Sequence, residues 1–501
     1  MKETAETANV DLLINEYSSP FDAAAEETAL ILAAGHGKRI KSHVSKMLHK
    51  IWEVPTVERV CEACQKGIPG SNIIIVAGIK AEDVIKSVGK KRSVSFAYQE
   101  VQLGTGHAVQ VGLNNIADEN YDGTVFIFPG DMGLIDAGTI RFFKEEFYKS
   151  NADMMVLTGI YEGTVEDNYY GRILRVPAKD SKNVKMKDAG KVIEILEYKD
   201  ILNTDAKTGY TSVFKKRKFK FTRKQLLENR EFNSGVYAFK YKPLKQLINK
   251  IENKNVQNEI YLTDLIGLFN AGGYTVEAVA PKEQYVLMGF NNKSVLKEME
   301  GIARKLVYEK IKDIISIDDP DDFFIEENVV DEIIKMDGAG IPLDISVGKG
   351  AYIGKCVRLN YNARIGKNVF MEGDISLGKN VSVKEGSRIS CFYGQKIELA
   401  DHVEIYPSTI IKGNVSIGIH SRIESGVRIT GSDQHPCVIG NHVVIKGLTY
   451  IFGSRIDDNI FVEHSVFVKK RITRPDGIKS DVYQVRFYLP EAEGKAAVKD
   501  L

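Results

Sequence analysis

The chain has 501 residues, 43% hydrophobic and 27% charged, with a formal net charge of +1. That length exceeds what one core organises, so two or three domains are expected. The near-zero charge removes any global argument for nucleic acid or an anionic membrane surface. Apolar runs fall well short of the ~20 residues that span a bilayer.

The first 28 residues, acidic and Ala-rich, read as a leader or a short docking helix rather than a secretory signal. Five cysteines, an odd number, fit a reducing cytosol, and Cys61-x-x-Cys64 falls in an expected helix over 57–66 with no partner pair. The apolar run from Ala29 to Ala34 is a buried strand. It breaks at Gly35 and Gly37 within Leu30-Ile-Leu-Ala-Ala-Gly-His-Gly-Lys-Arg39, and Lys46 follows. Glycines at a strand end let backbone N–H groups approach a phosphate chain, and Arg39 and Lys46 supply the countercharge. An ordinary Gly-containing turn with two solvated basic residues is the plainer alternative. The spacing is neither a P-loop nor a dinucleotide fingerprint.

Strands at 72–77, 93–98, 124–128 and 153–158 then alternate with helices at 81–88, 105–116 and 137–149. The alternation indicates a mostly parallel α/β sheet, whose ligands lie beyond the carboxyl ends of the strands. Gly35, Gly104 and Asp131 all fall just past such ends. Between Lys207 and Lys224 come eight basic residues and no acidic ones, a basic hairpin or a loop. A helical connector follows, and from Ile345 the texture becomes hexads: Ile345-Ser-Val-Gly-Lys-Gly350, Ala351-Tyr-Ile-Gly-Lys-Cys356, Ala363-Arg-Ile-Gly-Lys-Asn368, Ile375-Ser-Leu-Gly-Lys-Asn380. One aliphatic every six residues, with Gly and Asn at the turns, is the hexapeptide parallel β-helix pattern. About seven coils of eighteen residues are expected, with loops inserted at 393–396 and 431–436. The domains so read are a leader (1–28), an α/β domain (29–293) carrying a basic insertion (205–228), a helical connector (294–337), a β-helix (338–472) and a tail (473–501).

Leu32-Ala-Ala-Gly-x-Gly-x-Arg39 with Lys46 resembles the signature of sugar-1-phosphate nucleotidyltransferases. Gln99-Glu-Val-Gln-Leu-Gly-Thr-Gly-His-Ala-Val109 resembles the bacterial UDP-N-acetylglucosamine pyrophosphorylases, usually the N-terminal half of a bifunctional enzyme that also acetylates glucosamine-1-phosphate. The resemblance runs from about residue 29 to 305 and more loosely beyond. It implies a Rossmann-like nucleotidyltransferase sheet followed by a left-handed β-helix, and a magnesium-dependent transfer of uridylyl from UTP to N-acetylglucosamine-1-phosphate. By the same resemblance such a β-helix is usually trimeric, while cysteine usage, net charge and apolar-run length give the expectation of a cytoplasmic homotrimer with neither membrane nor nucleic acid as partner.

Carried over residue by residue, the resemblance gives Arg39 and Lys46 the catalytic charges. It puts the nucleotide on Leu32, Ala33, Ala34, Gly35, Gln99, Gly104 and Thr105. Gly171, Glu197, Asn233 and Thr263 match the sugar contacts. Asp131, a hard carboxylate, and Asn291, in Gly289-Phe-Asn-Asn292, match the Mg2+ ligands. Departures from the family pattern stand at His36, Lys38, Ser45, Pro129 and Gly133. In the β-helix, the family's acetyl-transfer His stands in a Gly-His-Leu-Thr-Tyr stretch. The nearest match here, Lys446-Gly-Leu-Thr-Tyr450, has Gly447 before the Leu, and the nearest imidazoles are His442 and His464. Uridylyl transfer with a non-acetylating β-helix is the leading expectation. A bifunctional enzyme and a non-catalytic sugar-nucleotide scaffold are the alternatives.

Overall fold

The computed structural model describes residues 2–35, 37–179, 186–253, 255–476 and 480–491. His36 and the end of the tail therefore lie outside the described residues. The chain forms two compact units, Met1–Met299 and Glu300–Leu501.

The first unit is built on a mixed sheet whose main path runs Val276–Val279, Met154–Ile160, Glu231–Lys240, Thr124–Pro129, Glu27–Ala33, Asn72–Ala77, Val94–Tyr98. Neighbours are parallel except Glu231–Lys240, which runs antiparallel to both of its partners on this path. The central strands are buried on both faces, which is why they read as unbroken apolar runs. Alternation splits them between two cores. Ile73 and Ile75 meet Val60, Cys61 and Phe143, whereas Ile74 and Val76 meet Val109, Leu113 and Leu265. Cys61 and Cys64 are thus core residues, fully buried, and burial pushes both thiols up.

The leader forms a helix, Lys2–Tyr17, that packs Val10, Leu13, Ile14 and Tyr17 on the first of these cores. Just after it, Ser19 N donates to the Val94 carbonyl (2.7 Å) and the Ser18 hydroxyl accepts from Phe96 N (3.0 Å), covering the edge strand. The basic insertion is a hairpin, Tyr210–Phe214 with Arg217–Phe221, followed by a helix from Arg223 to Glu228. Phe214 and Leu226 are buried in a small core with Leu174, Ile193 and Ile201, and the hairpin's lysines face outward.

The second unit contains three parallel sheets of nine, eight and seven strands, stacked as in a left-handed β-helix. In one sheet Val347, Ile365, Val383, Ile405, Ile423, Ile445 and Val462 lie directly above one another, each nearly inaccessible. Such a column is what one aliphatic per hexad produces when three short strands complete a coil. The corners explain the polar hexad positions. Asn362, Asn380, His402, His420, His442 and Asn459 all have φ between 56° and 60°, a left-handed conformation that Asn and His adopt more readily than most residues. The inserted corner loops are tied together where Gln395 Nε2 (2.9 Å) and Asn414 Nδ2 (3.0 Å) both donate to Asp433 Oδ1.

The hexads alone misplace the ends of this unit. Ser316–Ile317 and Phe324–Ile325 already pair with Ser346–Val347 and Tyr352–Ile353, so coiling begins well before residue 338. The segment 294–337 accordingly holds helices at Lys293–Ile311 and Glu327–Asp337 with the opening strands between them. At the other end Tyr483–Arg486 adds a strand beyond 472.

Candidate functional site

The loop after Glu27–Ala33 is shaped by close approaches. Gly130 N donates to the Leu32 carbonyl (2.9 Å), joining the loop that carries Asp131 to the end of the first strand. Gly37 sits at φ 59°, where a Cβ would stand 2.8 Å from Lys46 Cβ, so only glycine lets this loop close over Lys46. Met47, 5% exposed, fills the space beneath Gly35 and Gly130. Leu32, Ala33 and Ala34 form the strand end and the start of the loop, and only Gly35 among these four is exposed. A Cβ at Gly78, just past the next strand, would collide with Ala34 Cβ at 2.7 Å and approach Gln102 Nε2 at 2.9 Å. Gly78 and Met47 therefore belong to the scaffold of this loop. Their positions immediately after a strand and after Lys46 are the only sequence signal they give.

Lys46 Nζ lies 2.5 Å from Asp131 Oδ2 and donates to Asn291 Oδ1 at 3.0 Å, with the Phe290 ring centroid 5.4 Å away. Gly289 permits this approach, since a Cβ there would stand 3.2 Å from Asp131 Oδ2. Both oxygens thus converge on the Lys46 ammonium. A carboxylate and an amide oxygen suit magnesium, which takes a few protein oxygens and completes its octahedron with water and phosphate. No cluster of three or more His, Cys, Asp or Glu that could hold a metal exists among the described residues. Arg39 is not drawn in: it is exposed on the one-turn helix Lys38–Ile40 and makes no ion pair among the described residues.

Gln99, 2% exposed, follows the edge strand Val94–Tyr98. Its Nε2 reaches the Gly104 carbonyl (3.3 Å) and His107 Nδ1 (3.0 Å). Gly104 (φ 113°) starts the helix Thr105–Leu113 where a Cβ would strike the Ile260 carbonyl at 2.7 Å. The Thr105 hydroxyl accepts from Leu262 N at 3.2 Å. The segment 99–105 is therefore clasped to residues 260–262, next to Thr263.

A second group forms around Glu197. Asn233 N donates to the Gly171 carbonyl (2.9 Å), and a Cβ on Gly171 would lie 3.1 Å from Glu197 Oε1. A bulge between Asn233 and Val236 turns the strand there, with Asn233 Oδ1 accepting from Gly235 N and Tyr237 Oη, both at 2.9 Å. Burial raises the Glu197 carboxyl to about 7, aided by the charges of Asp200 and Asp264 and opposed by the Thr263 hydroxyl and Arg172. Asp264 is raised to about 6 by burial and by Asp200 and Glu194. Thr263 is 5% exposed, and its Oγ1 is buried with no hydrogen-bond partner of normal geometry among the described residues. Gly171, Glu197, Asn233 and Thr263 thus come together. This group lies near the first: a Cβ on Gly235 would stand 2.9 Å from Pro129 Cγ, and the charge of Asp131 acts on Tyr170.

Residues 29–166 match the MobA-like NTP transferase domain. The match spans the Gly35 loop, Lys46, Gln99 and Asp131, and stops short of Gly171 and Asn291. Among curated proteins, the chain is 34% identical over 268 residues to the bifunctional protein GlmU of Caldicellulosiruptor saccharolyticus, covering 54% of this chain and 50% of that one. It is 34% identical over 331 residues to the bifunctional protein GlmU of Clostridium tetani, covering 66% of this chain and 63% of that one. The chain thus spans between half and two thirds of the length of these relatives. Among solved structures, a UDP-glucose pyrophosphorylase complexed with UDP-glucose gives a TM-score of 0.39 at 15% identity, covering 56% of this chain and 99% of that one.

Proposed function

We propose that this protein transfers a uridylyl group from UTP to N-acetylglucosamine-1-phosphate, releasing pyrophosphate and UDP-N-acetylglucosamine. The observation that carries the reading is the convergence of Lys46, Asp131 and Asn291 beside a glycine loop. Attack of a sugar-phosphate oxygen on the α-phosphorus of UTP requires alignment and charge neutralisation more than a protein nucleophile. The N–H groups around Ala34 and Gly35 hold the triphosphate, and Lys46 and Arg39 neutralise it as charge shifts to the leaving pyrophosphate. Asp131 and Asn291 would hold Mg2+, which would withdraw charge from the phosphate oxygens. Gln99, Gly104 and Thr105 line the uracil edge, and buried polar groups there would be left unpaired by a wrong base. Gly171, Glu197, Asn233 and Thr263 hold the hexosamine.

The β-helix serves assembly, as a homotrimer, rather than acetyl transfer. In the stretch matching the acetyl-transfer motif, Gly447 replaces the base, and a Cβ there would stand 2.9 Å from the Ser425 carbonyl. His442 sits in a corner stack at 5.2 Å from His420, and His464 stacks on Phe487 at 5.6 Å. A cytoplasmic setting accompanies this reading: all five cysteines are free, and no helix among the described residues is long and apolar enough to cross a membrane.

The test is pyrophosphate release from UTP and N-acetylglucosamine-1-phosphate. Turnover that vanishes with chelator and returns with magnesium is expected. Absence of turnover in magnesium contradicts the reading.

A further inference from the structure

Arg172 has no role in the scheme above, yet it is among the largest fully buried side chains of the described residues, at 0% exposure. Burying a guanidinium costs stability unless its donors are met. Here no carboxylate hydrogen-bonds it among the described residues. Nη2 donates to the Asn168 carbonyl at 2.7 Å, Nη1 donates to the Tyr170 carbonyl, and Nε is buried without a partner among the described residues. Its guanidinium lies over Tyr198, with Cζ 5.9 Å from the ring centroid. Those contacts grip both sides of the group around Glu197. Asn168 and Tyr170 belong to the segment ending at Gly171, and Tyr198 directly follows Glu197. Tyr169, 61% exposed, stacks edge-on against Tyr198 at 5.3 Å, closing the same clasp from outside.

We infer that Arg172 is a positioning residue for the sugar phosphate, clamping the 168–171 backbone against the Glu197–Tyr198 turn. The inference rests on the proposed function for the identity of the sugar, while the clamp itself stands on geometry alone. Only a planar fork reaches two carbonyls and a ring face together; a lysine keeps the charge but has one donor centre. Because Arg172 lies under the hexosamine side, its loss should change sugar binding and spare the nucleotide.

Two readouts on the full chain decide this, with Arg175→Lys as control. Arg175 lies on the same strand and pairs with Glu231 at 2.6 Å, away from the clasp. First, hydrogen exchange without any ligand: Arg172→Lys should lose protection at 168–171, and Arg175→Lys should not. Second, kinetics: Arg172→Lys should raise KM for N-acetylglucosamine-1-phosphate about 10- to 100-fold, with KM for UTP and kcat within a few-fold of the parent. Should Arg172→Lys fail to fold, Tyr198→Leu removes the stacked face alone and should give the same selective rise. Unchanged protection at 168–171, or equal effects on both substrates, overturns the inference. Inactivity of the parent overturns the proposed function instead, and the exchange result still judges the clamp.

Discussion

Lys46 and Asp131 stand 2.5 Å apart, ammonium to carboxylate, with 11% and 15% of their side chains exposed. Asn291 accepts a hydrogen bond from the same ammonium across 245 residues of sequence. On the proposed function, a charge held this way is preorganised for the phosphates, because little solvent has to be rearranged when substrate arrives. Lys46→Ala and Asp131→Ala should each slow pyrophosphate release at least ~100-fold. Both should keep the parent circular dichroism spectrum, since neither residue belongs to the apolar cores. Near-parent rates in both variants would remove this pair from the active site.

The Glu197 carboxyl, raised to about 7, makes a stability prediction with a definite sign. An unfolded Glu titrates near 4.3. Between those values the folded state binds more protons than the unfolded state, so stability falls as pH rises through this window. Glu197→Gln removes that loss. It should stabilise the protein at pH 8 relative to the parent, by an amount on the order of 1–3 kcal/mol, and change it little at pH 4. Thermal unfolding at the two pH values reads this out. A variant equally destabilised at both would show that Glu197 stays charged at little cost.

The β-helix makes a prediction about assembly. Its coils present flat faces to solvent, and side-by-side packing of three such columns covers them. The full chain should sediment as a trimer at micromolar concentration. A monomer there would refute the assembly role.

Acetyl transfer from acetyl-CoA to glucosamine-1-phosphate should be insignificant. A protonated amine does not attack a thioester, and loss of the general base costs about 100- to 10,000-fold. Thiol release at saturating substrate measures it. Turnover near that of the uridylyl reaction, abolished by His442→Ala or His464→Ala, would restore bifunctionality.

Much of this fold is legible locally. Asn72–Ala77 and Ala81–Val88 fall at the residues that apolar runs and helical spacing indicate, and the β-helix columns follow from the hexads. Long-range pairings are less legible. The antiparallel strand Glu231–Lys240 enters the middle of the sheet after a long excursion, and no local period reveals its place. The coil begins at Ser316 because strand pairing needs only backbone, and 316–325 lack the Gly and Asn corners that mark later hexads. In the candidate site, the glycine loop and Asp131 advertise themselves at strand ends. Arg172 does not, because a buried arginine bonded to carbonyls is indistinguishable in sequence from a solvated one.

The most direct test of uridylyl transfer is a substrate panel on the full chain: four nucleoside triphosphates against glucose-, galactose-, glucosamine- and N-acetylglucosamine-1-phosphate, read by pyrophosphate release in magnesium. The highest kcat/KM is expected for UTP with N-acetylglucosamine-1-phosphate, with other bases rejected by the Gln99–Thr105 edge. Preference for another base or another sugar, or no release with any pair, would contradict it.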